Sequence, residues 1–95
     1  SIAPKSEYDI VCSPQPFVPS RDVTLIIDGL AESSQVRILT VDGELVRAIE
    51  TQSRSITWDG RDENGNEAAS GVYIVVASSS TTKEKGVGKI AVVRK

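Results

Sequence analysis

The chain has no histidine, no methionine and one cysteine among its 95 residues. Without histidine there is no Ser-His-Asp or Cys-His catalytic pair and no imidazole ligand for a metal. The side chain that ordinarily changes charge near neutral pH is missing too. One cysteine cannot close a disulfide within the chain. Aromatic residues are 4% of the total: Tyr8, Phe17, Trp58 and Tyr73. The longest apolar run, Val72 to Ala77, is six residues. A membrane span needs about 20 and a signal-peptide core about 7–15. No excess of basic charge exists: 11 Lys and Arg stand against 13 Asp and Glu, a net charge of −2. That balance argues against nucleic-acid or anionic-membrane partners, and no membrane insertion is expected. Since even position 1 is not methionine, the expectation is a portion of a longer protein, with any export signal upstream.

What is present favours strands. Twelve Val, nine Ile and six Thr outweigh four Leu. β-Branched side chains are stiff at χ1 and suit a pleated surface better than a helix. Seven Gly and four Pro punctuate the chain at short intervals, and no segment carries apolar positions at helical spacing between caps. The length suits one domain. A chain of this size buries about 60–70% of its unfolded surface, enough for one modest core.

Seven strands are predicted. Tyr8, Ile10 and Cys12 alternate on the first. Pro14, Pro16 and Pro19 make the next stretch an extended crossover, with Phe17 capping the core. Val23–Asp28, Gln35–Val41 and Glu44–Glu50 follow, the last two joined at Asp42-Gly43, which reads as a two-residue hairpin with positive φ at both positions. Ser55–Asp59 is the fifth. Gly60–Ser70 is a long polar turn. Gly71–Ser78 is apolar on both faces and so central, and Val87–Arg94 closes the domain after a hydrophilic loop at Ser79–Gly86. Short strands with frequent turn signals predict an all-β sandwich or barrel. Residues 1–7 read as the end of a linker and 8–95 as the domain.

Candidate sites are few. Asp59, Asp62, Asn64 and Asn66 cluster around Gly65 as a weak metal candidate, but the spacing of a calcium loop and its terminal bidentate Glu are missing. Asp and Asn also cap the backbone of long turns. Trp58 suits either a sugar-stacking face or the core. Phe17, Ile38, Trp58 and Tyr73 are the expected core anchors, each aromatic ring burying about 150–250 Å². Gly43, Gly60, Gly65 and Gly71 mark the tight reversals. Cys12 lies on an apolar strand face and is expected to be a small buried hydrophobe rather than a reactive thiol. The acids Asp59, Asp62, Glu63 and Glu67 share one turn rather than flanking a cleft, so no catalytic residue and no cofactor is expected. Lys83, Lys85, Lys89, Arg94 and Lys95 make the C-terminal end basic, which reads as protection of an edge strand or as a feature for a partner.

Several segments together resemble a known family. Pro14-Gln15-Pro16-Phe17-Val18-Pro19 is similar to its PNPFxP motif, with Gln15 where Asn is frequent. Val36 to Val46 resembles its VxIydxxGelV hairpin, Trp58 to Asn66 its WdGrdenGn turn, Ala69 to Tyr73 its asGvY strand, and Lys89 to Arg94 its last strand. This is the immunoglobulin-like domain named after the flagellar hook-capping protein FlgD, related to the C-terminal sorting domains of type IX secretion. The resemblance implies an all-β, immunoglobulin-like sandwich of about seven antiparallel strands in two sheets. It also implies a non-catalytic accessory domain of a larger exported bacterial protein, extracellular or at the cell surface, acting as spacer, attachment or sorting module. Its partners would be upstream domains of the parent protein and secretion or cell-surface machinery. Alternatives are a carbohydrate-binding module and a hook-capping-type scaffold domain.

Overall fold

A computed structural model describes residues 7–80 and 85–94. The linker end at 1–6, loop residues 81–84 with Lys83, the side chain of Tyr8, and Lys95 lie outside the described residues. The described residues form eight strands: β1 (Glu7–Asp9), β2 (Val11–Ser13), β3 (Leu25–Asp28), β4 (Ser34–Thr40), β5 (Leu45–Thr51), β6 (Ser55–Trp58), β7 (Gly71–Ser79) and β8 (Lys85–Val92). They form a five-stranded sheet, β1-β8-β7-β4-β5, and a three-stranded sheet, β2-β3-β6. All pairings are antiparallel except β1 on β8, which is parallel. This is an all-β immunoglobulin-like sandwich, with β7 in the middle of the larger sheet.

Period-two alternation drives the layering. Val36 and Ile38 on β4, Tyr73, Val75 and Ala77 on β7, and Ile90 and Val92 on β8 are buried. They face Leu25 and Ile27 of β3 and Trp58 of β6, which are also buried. Phe17, Leu25, Ile27, Val36, Ile38, Val75 and Ile90 are fully enclosed, at 0% exposure. Those seven positions come from both sheets and the crossover, so one continuous core joins the layers.

Two local expectations change. The single first strand is divided: β1 lies on β8, and β2 lies on β3 in the other sheet. Ile10 is the crossing residue, its N–H donating to the Val87 carbonyl at 2.9 Å. The crossing is possible because β8 carries Gly88 there. A Cβ on Gly88 would stand 2.9 Å from the Ile10 carbonyl oxygen and 3.4 Å from Cys12 Sγ. The β4–β5 hairpin is not a two-residue turn. The Gly43 N–H donates to the Thr40 carbonyl at 2.9 Å and the Thr40 N–H to the Glu44 carbonyl at 2.9 Å, so Val41, Asp42 and Gly43 form a three-residue loop. Only Gly43 takes positive φ there, at 94°. A type I turn closed by one glycine in the left-handed region needs no strained Asp42.

Candidate functional site

The residues singled out in the sequence gather at one end of the sandwich, around Trp58. Its indole packs against Phe17, with ring centroids 6.2 Å apart and planes at 44°, and against Tyr73 at 6.0 Å and 65°. Such offset and edge contacts match the quadrupoles of the rings. Both polar handles find backbone acceptors. Trp58 Nε1–H donates to the Arg61 carbonyl at 2.9 Å, and the Tyr73 hydroxyl donates to the Ala69 carbonyl at 2.6 Å. A tyrosine at a strand start bonded to the backbone four residues upstream is the tyrosine corner of immunoglobulin-like sandwiches. Trp58 is 1% exposed, so its face is closed to a sugar ring.

The turn from Asp59 to Ala68 covers the indole edge. Asp59 Oδ1 accepts the Arg61 N–H at 3.0 Å. Asp62 Oδ1 accepts the N–H groups of Asn64 and Asn66, both at 2.9 Å. The Asp62 N–H donates back to the Asn66 carbonyl at 2.8 Å, and the Gly65 N–H to the Asp62 carbonyl at 3.1 Å. These carboxylates are thus occupied by their own turn, the ordinary Asx arrangement. Among the described residues there is no group of three or more His, Cys, Asp or Glu side chains placed to hold a metal. Gly60 sits where the turn meets the core, at φ 83°, and a Cβ there would come within 3.1 Å of the Phe17 ring.

Three residues given other or no structural roles by sequence, Arg94, Glu63 and Gln15, organise this end. Arg94 Nε donates to the Ala68 carbonyl, its Nη2 to the Gly60 carbonyl at 3.0 Å, and its Nη1 lies 3.4 Å from Glu67 Oε2. Arg94, grouped by sequence with the lysines that protect an edge strand or meet a partner, instead clamps both ends of the turn with its planar fork. The Glu63 N–H donates to the Val46 carbonyl at 3.0 Å and its Oε1 accepts the Ala48 N–H at 3.2 Å, so Glu63 covers part of the outer edge of β5. Gln15 does the same for β8, its Nε2 donating to the Lys89 carbonyl at 2.6 Å and its Oε1 accepting the Ala91 N–H at 3.1 Å. Phe17 continues the cover: its N–H donates to the Ala91 carbonyl at 2.7 Å and its carbonyl accepts the Val93 N–H at 2.9 Å. The reading of Lys85 and Lys89 as guards of a bare edge is therefore corrected, because β8 is already paired along its length. Only sequence distance hid these contacts; Gln15 and Lys89 are 74 residues apart.

Among the described residues, Cys12 and the Arg21–Asp22 pair lie outside this turn. Cys12 is buried, and its thiol is pushed up to about 11 by that burial. It is therefore a thiol rather than a thiolate at neutral pH. Arg21 hydrogen-bonds Asp22 and holds its carboxyl below the usual range, helped by the Val18 N–H. A polar hollow of about 640 Å³ lies where β4 begins and β5 and β7 end, lined by residues including Ser34, Gln35, Glu50 and Ser79. The buried hydroxyls of Ser34 and Ser79 donate to the carbonyls of Ala31 and Glu32.

Comparison with known proteins places this geometry. Residues 19–83 match the FlgD Ig-like domain family. Among solved structures the chain is similar to part of PorZ, an essential bacterial surface component of the type IX secretion system of Porphyromonas gingivalis. The identity is 29% and the TM-score 0.78, over 90% of this chain and 11% of that one. The chain thus spans about a tenth of the length of the PorZ structure. No curated protein sequence matches. With more than half its length matched and the sandwich formed, this chain belongs to the FlgD Ig-like domain family.

Proposed function

We propose that this domain is a non-catalytic accessory module of a larger exported bacterial protein, attaching or sorting its parent at the cell surface in a type IX secretion setting. The likeness to one small part of PorZ, a surface component of that system, carries the reading. The chemistry of the chain supports it. Trp58 and Tyr73 lie in the core, and the carboxylates of Asp59, Asp62 and Glu63 hold backbone N–H groups of the domain itself. A fold whose distinctive residues stabilise its own corner acts through its surfaces.

Deletion of this domain from the parent protein, followed by cell fractionation, tests the reading. The truncated parent is expected to accumulate inside the cell envelope. Undiminished arrival of the truncated parent at the surface would refute both sorting and attachment.

A further inference from the structure

The outer faces of the two sheets differ in chemistry. On the three-stranded sheet Val11 and Ile26 stand among Ser13, Asp28, Ser55 and Thr57, all pointing away from the core. On the five-stranded sheet four strands make a grid. The first row across β8, β7, β4 and β5 is Lys85, Ser78, Gln35 and Glu50. The second is Val87, Val76, Arg37 and Ala48, and the third is Lys89, Ile74, Leu39 and Leu45. Ala91 and Val72 continue the grid, with Val41 following at the end of β4. Leu45, Val72 and Val41 are 52%, 50% and 64% exposed, which marks a contiguous apolar patch rather than scattered side chains.

We propose that this face pairs with the same face of a second copy of the chain, in a two-fold dimer whose axis runs parallel to the strands between β7 and β4. Rotation about that axis lays β8 over β5 of the second copy and β7 over its β4, and keeps each row over itself. Ile74 then faces Leu39 of the second copy and Val87 faces Ala48, while Val72 lies towards the hairpin loop that Val41 opens. Lys85 meets Glu50 of the second copy, twice by symmetry. Arg37, whose Nη2 reaches Gln35 Oε1 at 3.4 Å, lies opposite Val76 and covers it with its stem. Lys89 does the same opposite Leu45. Asp9 sits on β1, one strand outside the grid and beyond β5 of the second copy. Each face carries Lys85, Arg37 and Lys89 against Glu50, so the two Lys85–Glu50 pairs, not an overall match of sign, select this axis. Turning the second copy about an axis across the strands lays Lys85 over Ala91 and Glu50 over the Gly43 end, leaving both charges without partners.

The size of the face sets the strength. Four strands about 4.8 Å apart and seven residues of about 3.4 Å rise span roughly 19 by 24 Å, or ~450 Å² before side-chain relief. A standard interface takes about 800 Å² from each partner. The dimer is accordingly weak.

Sedimentation equilibrium of the 95-residue chain from about 10 μM to about 1 mM, at about 0.15 M ionic strength so that like charges on the two faces are screened, tests the dimer. The mass is expected to rise from 10.2 kDa towards twice that value. Val72→Glu is expected to stay monomeric with unchanged circular dichroism and Trp58 emission. Lys85→Glu and Glu50→Lys are each expected to weaken the dimer about tenfold, and the double variant to return within about threefold of the original. A chain that remains at 10.2 kDa at the highest concentration overturns the proposal. So does a dimer indifferent to Val72→Glu, or a double variant weaker than both singles.

Discussion

Along β8, the outer edge of the larger sheet meets the N-terminal segment: β1 pairs in parallel, the Gln15 amide bridges Lys89 and Ala91, and Phe17 joins the ladder beyond. Along β5, at the opposite edge, the Glu63 carboxylate takes the Ala48 N–H while the Glu63 N–H serves the Val46 carbonyl. Both devices blunt an edge that would otherwise template another strand. They differ in chemistry. An amide side chain carries both N–H donors and an acceptor oxygen and so replaces a strand residue alone. A carboxylate only accepts, so Glu63 has to bring its own backbone N–H. The β8 cover is also tied into the core through Phe17, whereas the β5 cover rests on a surface turn and an Arg47–Glu63 ion pair at 3.7 Å. The first is therefore expected to matter for global stability and the second for local order.

The greatest expected effect tests the anchor. Phe17→Ala removes a fully buried ring from beside Trp58 and is expected to cost about 3–5 kcal/mol in urea unfolding. A loss under about 1 kcal/mol would mean the cover is superficial. Gly88→Val drives a side chain into the Ile10 carbonyl. About 2–3 kcal/mol of destabilisation is expected, with faster hydrogen exchange at the Ile10 N–H; unchanged exchange would contradict the crossing. Gln15→Ala breaks both bridging bonds at once, a loss of about 1–2 kcal/mol. Glu63→Ala is expected to cost about 0.5–1 kcal/mol, with exchange accelerated at Ala48 and not at Ala91. Equal losses from Gln15→Ala and Glu63→Ala would erase the distinction between the edges.

Much of this architecture was legible beforehand where the signal is local. The alternation in Val36–Ile38 and Tyr73–Ala77 gave the strands and their inward faces, and the doubly apolar β7 gave its central place. Gly43 marked a turn, although its type depended on hydrogen bonds to Thr40 that periodicity does not encode. The split of the first strand was not visible, because Tyr8, Ile10 and Cys12 alternate without a break; only Gly88, far along the chain, opens the path between sheets. Arg94 read as one more basic residue near the C-terminus. Its role as a clamp exists only once Gly60 and Ala68 have been brought beside it.

Local pattern by itself determined the all-β class, the approximate strand positions and the lack of histidine-based chemistry, because side-chain alternation and residue type are properties of short segments. Tertiary structure alone decided which edges are covered, that the Trp58 indole is closed to ligands, and that the outer grid sets Lys85 and Glu50 at opposite ends of one row. Those features depend on strands distant in sequence lying about 4.8 Å apart, a proximity that forms only when the two sheets close over their common core.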